Sequence, residues 1–163
     1  RSFGVASVQP TGGSQPWMLD SNDARDPGGE TNFGISKRAF PEVDIKNLTQ
    51  QDAIEIYRVQ YWQKCRCGDF PPQIGVVLFD SAVNQGPGQA VRLLQRSLGV
   101  TADGIIGDQT LAAVMKVPLR SIVTDFVARR ALAYAQNDNV KVYGLGWFRR
   151  LMECHALTLG TIA

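Results

Sequence analysis

Asp26, Glu30 and Thr31 lie close together in the stretch ARDPGGETNFGIS at residues 24–36, with Gly28 and Gly29 between them. The two glycines lack a Cβ, so the main chain can approach a ligand closely there. A carboxylate and a hydroxyl on such a backbone suit glycoside cleavage. That reaction needs one carboxyl to protonate the leaving oxygen and a second group to deliver a nucleophile. In an inverting arrangement the two carboxyls stand about 6.5–9.5 Å apart, with a water between them. Asp26 can serve as the base that activates this water, and Thr31 can position it. The local alternative is an Asx turn, with Asp26 bonded to its own backbone and Thr31 capping a neighbouring turn.

The remaining chain must supply the walls. Residues 1–23 are rich in Gly, Ser, Gln and Pro, show no helical period and read as irregular. Thr49, with Asp52 three positions on, predicts a capped helix through TQQDAIEIYRVQYWQK, in which Ile54, Tyr57 and Tyr61 recur at helical spacing, as do Ile56 and Val59. Gly68, Pro71 and Pro72 end it. QIGVVLFDSAVNQ reads as a buried helix stopped by Gly86 and Pro87. GQAVRLLQRSLGV reads as an amphipathic one, with Val91, Leu94 and Leu98 inside, Arg92 and Arg96 outside and Gly99 as its stop. TADGIIGDQT is a tight loop in which Asp108 or Thr110 can cap the short helix that follows. A long helix starts near Pro118 and a last one at GWFRRLMECHAL. The expected total is about five to seven helices, with any strands in the first third.

At 163 residues the chain fits one domain with a sizeable core. A net charge of +2 without a dense basic run gives no reason to expect nucleic acid. No stretch approaches the roughly 18 to 20 apolar residues of a membrane span. The chain does not open on a basic start followed by an apolar run, the pattern of a signal peptide. Cys65, Cys67 and Cys154 make a poor disulfide framework, although a bridge to Cys154 is conceivable. With His155 they have the wrong spacing for zinc, so buried thiols are the favoured reading.

Two long segments carry a resemblance. DPGGETNFGISKRAFPEVDIKNLTQQDAIEIYRVQYW, followed by LFDSAVNQGPGQAVRLLQRSLGVTADGIIGDQTLAAV, resembles the N-acetylmuramidases of glycoside hydrolase family 108 over roughly residues 20–150. The resemblance implies a mainly α (α+β), lysozyme-like domain over 1–163. Its catalytic-type half would span about 24–85, and its peptidoglycan-binding-like helical half about 86–160. It implies bacterial peptidoglycan glycan strands as partner and hydrolysis of the β-1,4 bond after N-acetylmuramic acid. No cofactor or metal is implied. The site of action would be the cell wall, in the periplasm, secreted or on a virion.

One position departs from the family. Its general acid is a glutamate in an E-G-G-Y motif about nine residues before the aspartate. Asn22, Asp23 and Asp26 match the family's N-D-x-x-D, and counting back from them places Trp17 at the glutamate's position. No glutamate precedes Glu30, and the upstream Gly12–Gly13 pair follows Thr11, which cannot donate a proton at neutral pH. Asp20 and Glu30 are therefore the candidate acids beside Asp26 and Thr31. The resemblance and the residue chemistry give Gly28, Gly29, Trp62, Asp80, Asn84, Asp103 and Thr110 as candidate substrate-binding residues. For Asp80 a tie between helices is the stronger of two readings, since a polar group in an apolar helix needs a partner. Among the aromatic candidates for sugar stacking (Trp17, Phe33, Tyr61, Trp62 and Trp147), Trp62 is preferred. Arg149 and Arg150 read as a solvated face, and His155 as no catalytic group. The competing function is a non-catalytic peptidoglycan-binding or structural subunit of a phage particle or secretion machine.

Overall fold

A computed structural model describes residues 30–162. The chain divides into two compact units between Leu48 and Thr49.

In the first unit, β1 (Thr31–Asn32) pairs antiparallel with β2 (Ile35–Ser36), in the register Thr31 to Ser36 and Asn32 to Ile35. The two turn residues are both left-handed, Phe33 at φ 49° and Gly34 at φ 76°. Such a pair matches the twist of a two-residue hairpin. Glycine adopts that backbone freely, whereas an aromatic residue there is unusual. Asn32 fixes the hairpin to the following loop, its Nδ2 donating to the carbonyls of Ile45 and Leu48 at 3.2 and 3.3 Å. Ile35, Ile45 and Leu48 are all buried.

The second unit is helical. Thr49 caps α1 (Gln50–Tyr57) through a reciprocal box: its hydroxyl accepts from the Asp52 amide, and the Asp52 carboxylate accepts from the Thr49 amide. The T-x-x-D spacing predicted this cap. Thr49→Ala is expected to lower unfolding free energy by about 1 kcal/mol in urea titrations.

The expected single helix to residue 64 instead widens into a π-helical segment over Arg58–Gln63. Only Ala53 of α1 is buried, and Ile54 and Val59 are exposed, so the apolar spacing overstated what this helix covers. After a left-handed Arg66 and a 3-10 turn at Cys67–Asp69 comes α2 (Pro72–Gln85). Gly75 is required at the contact between the two, since a Cβ on it would lie 2.6 Å from the Cys67 carbonyl oxygen.

Gly86, at φ 83°, reverses the chain into α3 (Pro87–Ser97), which ends before a left-handed Gly99. Its Val91, Leu94 and Leu98 are buried and its Arg92 and Arg96 exposed, as the pattern predicted. The short α4 (Asp108–Val114) and α5 (Leu119–Ala135, led by Pro118) follow. The last helix, α6 (Val140–Gly160), begins well before GWFRR. Gly144 and Gly146 resemble helix breakers in sequence, yet Gly144 is buried in the helix, packed beside Val140 and Phe148.

One core joins these helices, with Ile74 and Leu78 of α2, Leu94 of α3, Ile122 and Phe126 of α5, and Leu151 of α6 all fully buried. It runs across residues 85–86 without a break. Cys65 and Cys67 belong to it, and both are free thiols, as is the half-buried Cys154. Hydrogen bonding to Cys65 and burial push the Cys67 thiol well above its ordinary value. No described helix is long and apolar enough to cross a membrane.

Candidate functional site

Asp20, Asp26, Gly28 and Gly29 lie outside the described residues, as does Trp17. Glu30 opens the hairpin: its side chain is exposed, and its carbonyl accepts from the Lys37 amide at 2.9 Å. Thr31 follows, half-buried on β1. Phe33 projects from the hairpin tip, 48% exposed.

In the helical unit, the π-helical segment presents its aromatics to α2. Trp62 meets Phe79 edge to face at 5.7 Å, and Tyr57 meets both Tyr61 and Phe79. Trp62 also lies against Gly68 and Gly75, so this half-buried ring packs within the unit rather than standing free as a platform. Burial raises both tyrosine phenols above their ordinary value, and Tyr61 adds to the effect on Tyr57. Both remain neutral donors at physiological pH. π-Helical turns recur at functional sites.

Asp80 ties helices together. Its Oδ2 receives Nη2 of Arg130 from α5 at 2.7 Å, and its Oδ1 receives the Arg150 guanidinium from α6 at 2.8 Å. Arg150 lies on the solvated face expected for it and also makes this pair. Arg130 is completely buried. Its Nε donates to Gln85 Oε1 at 3.0 Å, and Nη2 also reaches the Tyr134 hydroxyl at 3.3 Å. Its Nη1 is buried without a hydrogen-bond partner among the described residues, as is Nε2 of His155. Cys154 sits in the same field, its thiol raised by burial and then by the Asp80 carboxylate.

The loop after α3 is organised by a residue the sequence reading passed over. Gln95, 1% exposed, donates from Nε2 to Asp103 Oδ1 at 2.7 Å, the Ile105 carbonyl at 2.9 Å and Thr110 Oγ1 at 3.3 Å. Its Oε1 accepts from the Gly104 amide at 2.8 Å. Asp103, expected to bind substrate, directs its Oδ1 at Gln95 and the Ile105 amide, and those bonds hold its carboxyl below the ordinary value. Thr110 is buried, and α4 has no side-chain cap, so neither Thr110 nor Asp108 caps it. Arg66 joins this loop to the turn after the π-helical segment, with Nη1 2.9 Å from the Ile106 carbonyl.

Asn84 has a different setting. Its Nδ2 donates to the Asp80 carbonyl, and the residue helps line a cavity of about 400 Å³ with Gln85, Gln89, Tyr134, Asn137 and Trp147. Tyr134 and Trp147 stack there at 5.3 Å with a 31° tilt. Arg130 and Gln95 could have been found in sequence. Arg130 lies three and four positions after Val127 and Phe126, and Gln95 four after Val91 and three before Leu98, so both fall on apolar stripes where a polar side chain needs a buried partner.

Comparison with known proteins gives this geometry a family. Residues 17–86 match the family described as glycosyl hydrolase 108, and residues 89–152 match a predicted peptidoglycan domain. No curated protein matches the chain. Among solved structures, SagA of Brucella abortus is 33% identical, with the match covering 85% of this chain and 84% of that one at a TM-score of 0.79. The fold is accordingly mainly α and lysozyme-like, and the match over residues 89–152 supports peptidoglycan as a partner. The run of residues that includes Asp26, Glu30 and Thr31, continued by the helices from α1 to α6, makes this chain a member of glycosyl hydrolase family 108 that also carries a predicted peptidoglycan domain.

Proposed function

We propose that the chain is an N-acetylmuramidase, a glycoside hydrolase that cleaves the β-1,4 bond after N-acetylmuramic acid in bacterial cell-wall glycan and acts at the wall itself. One observation carries the reading: the family match spans residues 17–86 and so includes the Asp26–Thr31 segment. In this mechanism Asp26 takes a proton from a water that attacks the anomeric carbon, and Thr31 orients that water. The hairpin supports the second role, because Asn32 clamps the strand on which Thr31 sits. Protonation of the leaving oxygen falls to Asp20 or Glu30, since Trp17 occupies the position of the family's usual acid. The reaction requires two correctly spaced carboxyl groups and no cofactor.

The test is release of new reducing ends from purified peptidoglycan, with mass spectrometry to identify N-acetylmuramic acid at those ends. The wild-type chain is expected to release them, and Asp26→Asn is expected to slow release by about a hundredfold. Asp20→Asn and Glu30→Gln then identify the acid, whichever abolishes release. Binding to the wall with no reducing ends released would overturn the enzyme and leave a peptidoglycan-binding subunit.

A further inference from the structure

We propose that the cavity lined by Asn84, Gln85, Gln89, Tyr134, Asn137 and Trp147 is a binding pocket for one uncharged N-acetylated amino sugar. The proposal rests on the cell-wall reading above and specifies which sugar of the alternating glycan this part of the chain holds.

The first argument is chemical. Four of the seven lining side chains, counting Ala133, are carboxamides, each offering a donor and an acceptor in one plane. Sugar hydroxyls and an acetamido group present the same mixture. Among the described residues no Lys, Arg, Asp or Glu lines the cavity. A ligand carboxylate would therefore be desolvated without a partner, which is costly. That selects the plain amino sugar and disfavours its lactyl-bearing neighbour. At about 400 Å³ the cavity is within the range of small-ligand sites. The Trp147 ring, fixed by its stack on Tyr134, supplies a flat apolar surface of the kind a sugar's C–H face packs on.

The second argument is preorganisation. A completely buried arginine is expensive, and such groups are retained most credibly where they fix an arrangement. Arg130 binds two of the cavity's walls, Gln85 through Oε1 and Tyr134 through its hydroxyl. Ser81 also donates to Gln85 Oε1 at 3.1 Å. With its oxygen engaged twice, the Gln85 amide is held in one orientation with Nε2 as its remaining donor end. The Asn137 Oδ1 is likewise engaged by the Asn139 amide. Two carboxamides are thus set before any ligand arrives.

The third argument is position. Asn84 and Gln85 close the segment matched to glycosyl hydrolase 108, and the other five lining residues, Ala133 included, belong to the segment matched to the predicted peptidoglycan domain. The pocket forms only because the two segments share one core across Gly86.

Titration of tri-N-acetylchitotriose into the full chain, followed by the indole signal of Trp147 and the side-chain amide of Gln89, tests the pocket. Saturable shifts at both are expected. Gln89→Ala, which removes one carboxamide, and Ala133→Leu, which fills the cavity from α5, should each weaken the affinity by about fivefold or more, the worth of one hydrogen bond. Thermal melts confirm that both variants are folded. N-acetylmuramic acid should bind more weakly than N-acetylglucosamine. A silent Trp147, unchanged affinity in both variants or a preference for the acidic sugar each overturns the proposal. The muramidase reading fails separately: shifts at Trp147 without release of reducing ends keep the pocket and lose the enzyme, and the reverse pattern loses the pocket.

Discussion

Asp80→Ala is expected to lower the unfolding free energy by about 4 kcal/mol, the range found when one partner of a buried ion pair is removed. The magnitude follows from Arg130 rather than from Asp80. Arg130 has no exposed surface, and its Nη2 sits 2.7 Å from the Asp80 carboxylate. Without that carboxylate a guanidinium remains in the core with only neutral partners, Gln85 and Tyr134. Arg150 binds the other oxygen of the same carboxylate, but its side chain is 54% exposed. Water replaces that bond readily, so Arg150→Ala should change stability by less than about 1 kcal/mol. The contrast between two arginines on one carboxylate is the informative measurement, made by urea denaturation of each variant. The double variant Asp80→Leu with Arg130→Met should recover most of the loss, because removing both charges removes the penalty. Equal losses for Asp80→Ala and Arg150→Ala would show that burial of Arg130 does not govern the energetics.

This ion pair also shows where sequence reasoning reaches its limit. The adjacent residues Arg129 and Arg130 are identical in type, yet the first forms an exposed pair with Asp125 and the second is enclosed. Helix phase separates them once Val123, Phe126, Val127 and Tyr134 are recognised as one stripe. Local signals were legible where they are chemically self-contained. The Thr49–Asp52 box and the face of α3 depend on residues three or four apart, and both form as the spacing requires. The π-helical widening after Tyr57 and the early start of α6 depend on packing against other helices, which no short window of sequence contains. The same distinction applies to the site. The Asp26–Thr31 motif can be proposed from sequence because its residues are neighbours in the chain, whereas the cavity joins residues from Asn84 to Trp147 and emerges only when α2, α3, α5 and α6 pack.

Gln95→Ala should cost about 3 kcal/mol, from a side-chain-sized cavity together with buried polar groups left unpaired. Gln95 is 1% exposed and binds four partners spread over residues 103–110. Apart from the buried Ile106, whose carbonyl accepts from Arg66, the loop has little else to define it: Gly104 is left-handed at φ 86°, Ile105 is 70% exposed, and the Asp103 carboxylate is received by Gln95 and the Ile105 amide. Native-state hydrogen exchange should therefore show the Gly104 amide, whose acceptor is Gln95 Oε1, among the most accelerated in the variant. Thr110→Val removes only the longest of these contacts, at 3.3 Å, and should cost far less than Gln95→Ala. Acid probes the same unit from the other side. The Asp103 carboxyl is held below its ordinary value by the Ile105 amide and then by Gln95, so its contribution is complete above the ordinary aspartate range. That contribution is lost as pH falls through the depressed folded-state value. In Gln95→Ala the part of this acid sensitivity that comes from the Gln95 bond should disappear. A variant with wild-type stability and an unchanged Gly104 exchange rate would mean that the loop holds its shape through its own backbone, and that Gln95 merely fills space beneath it.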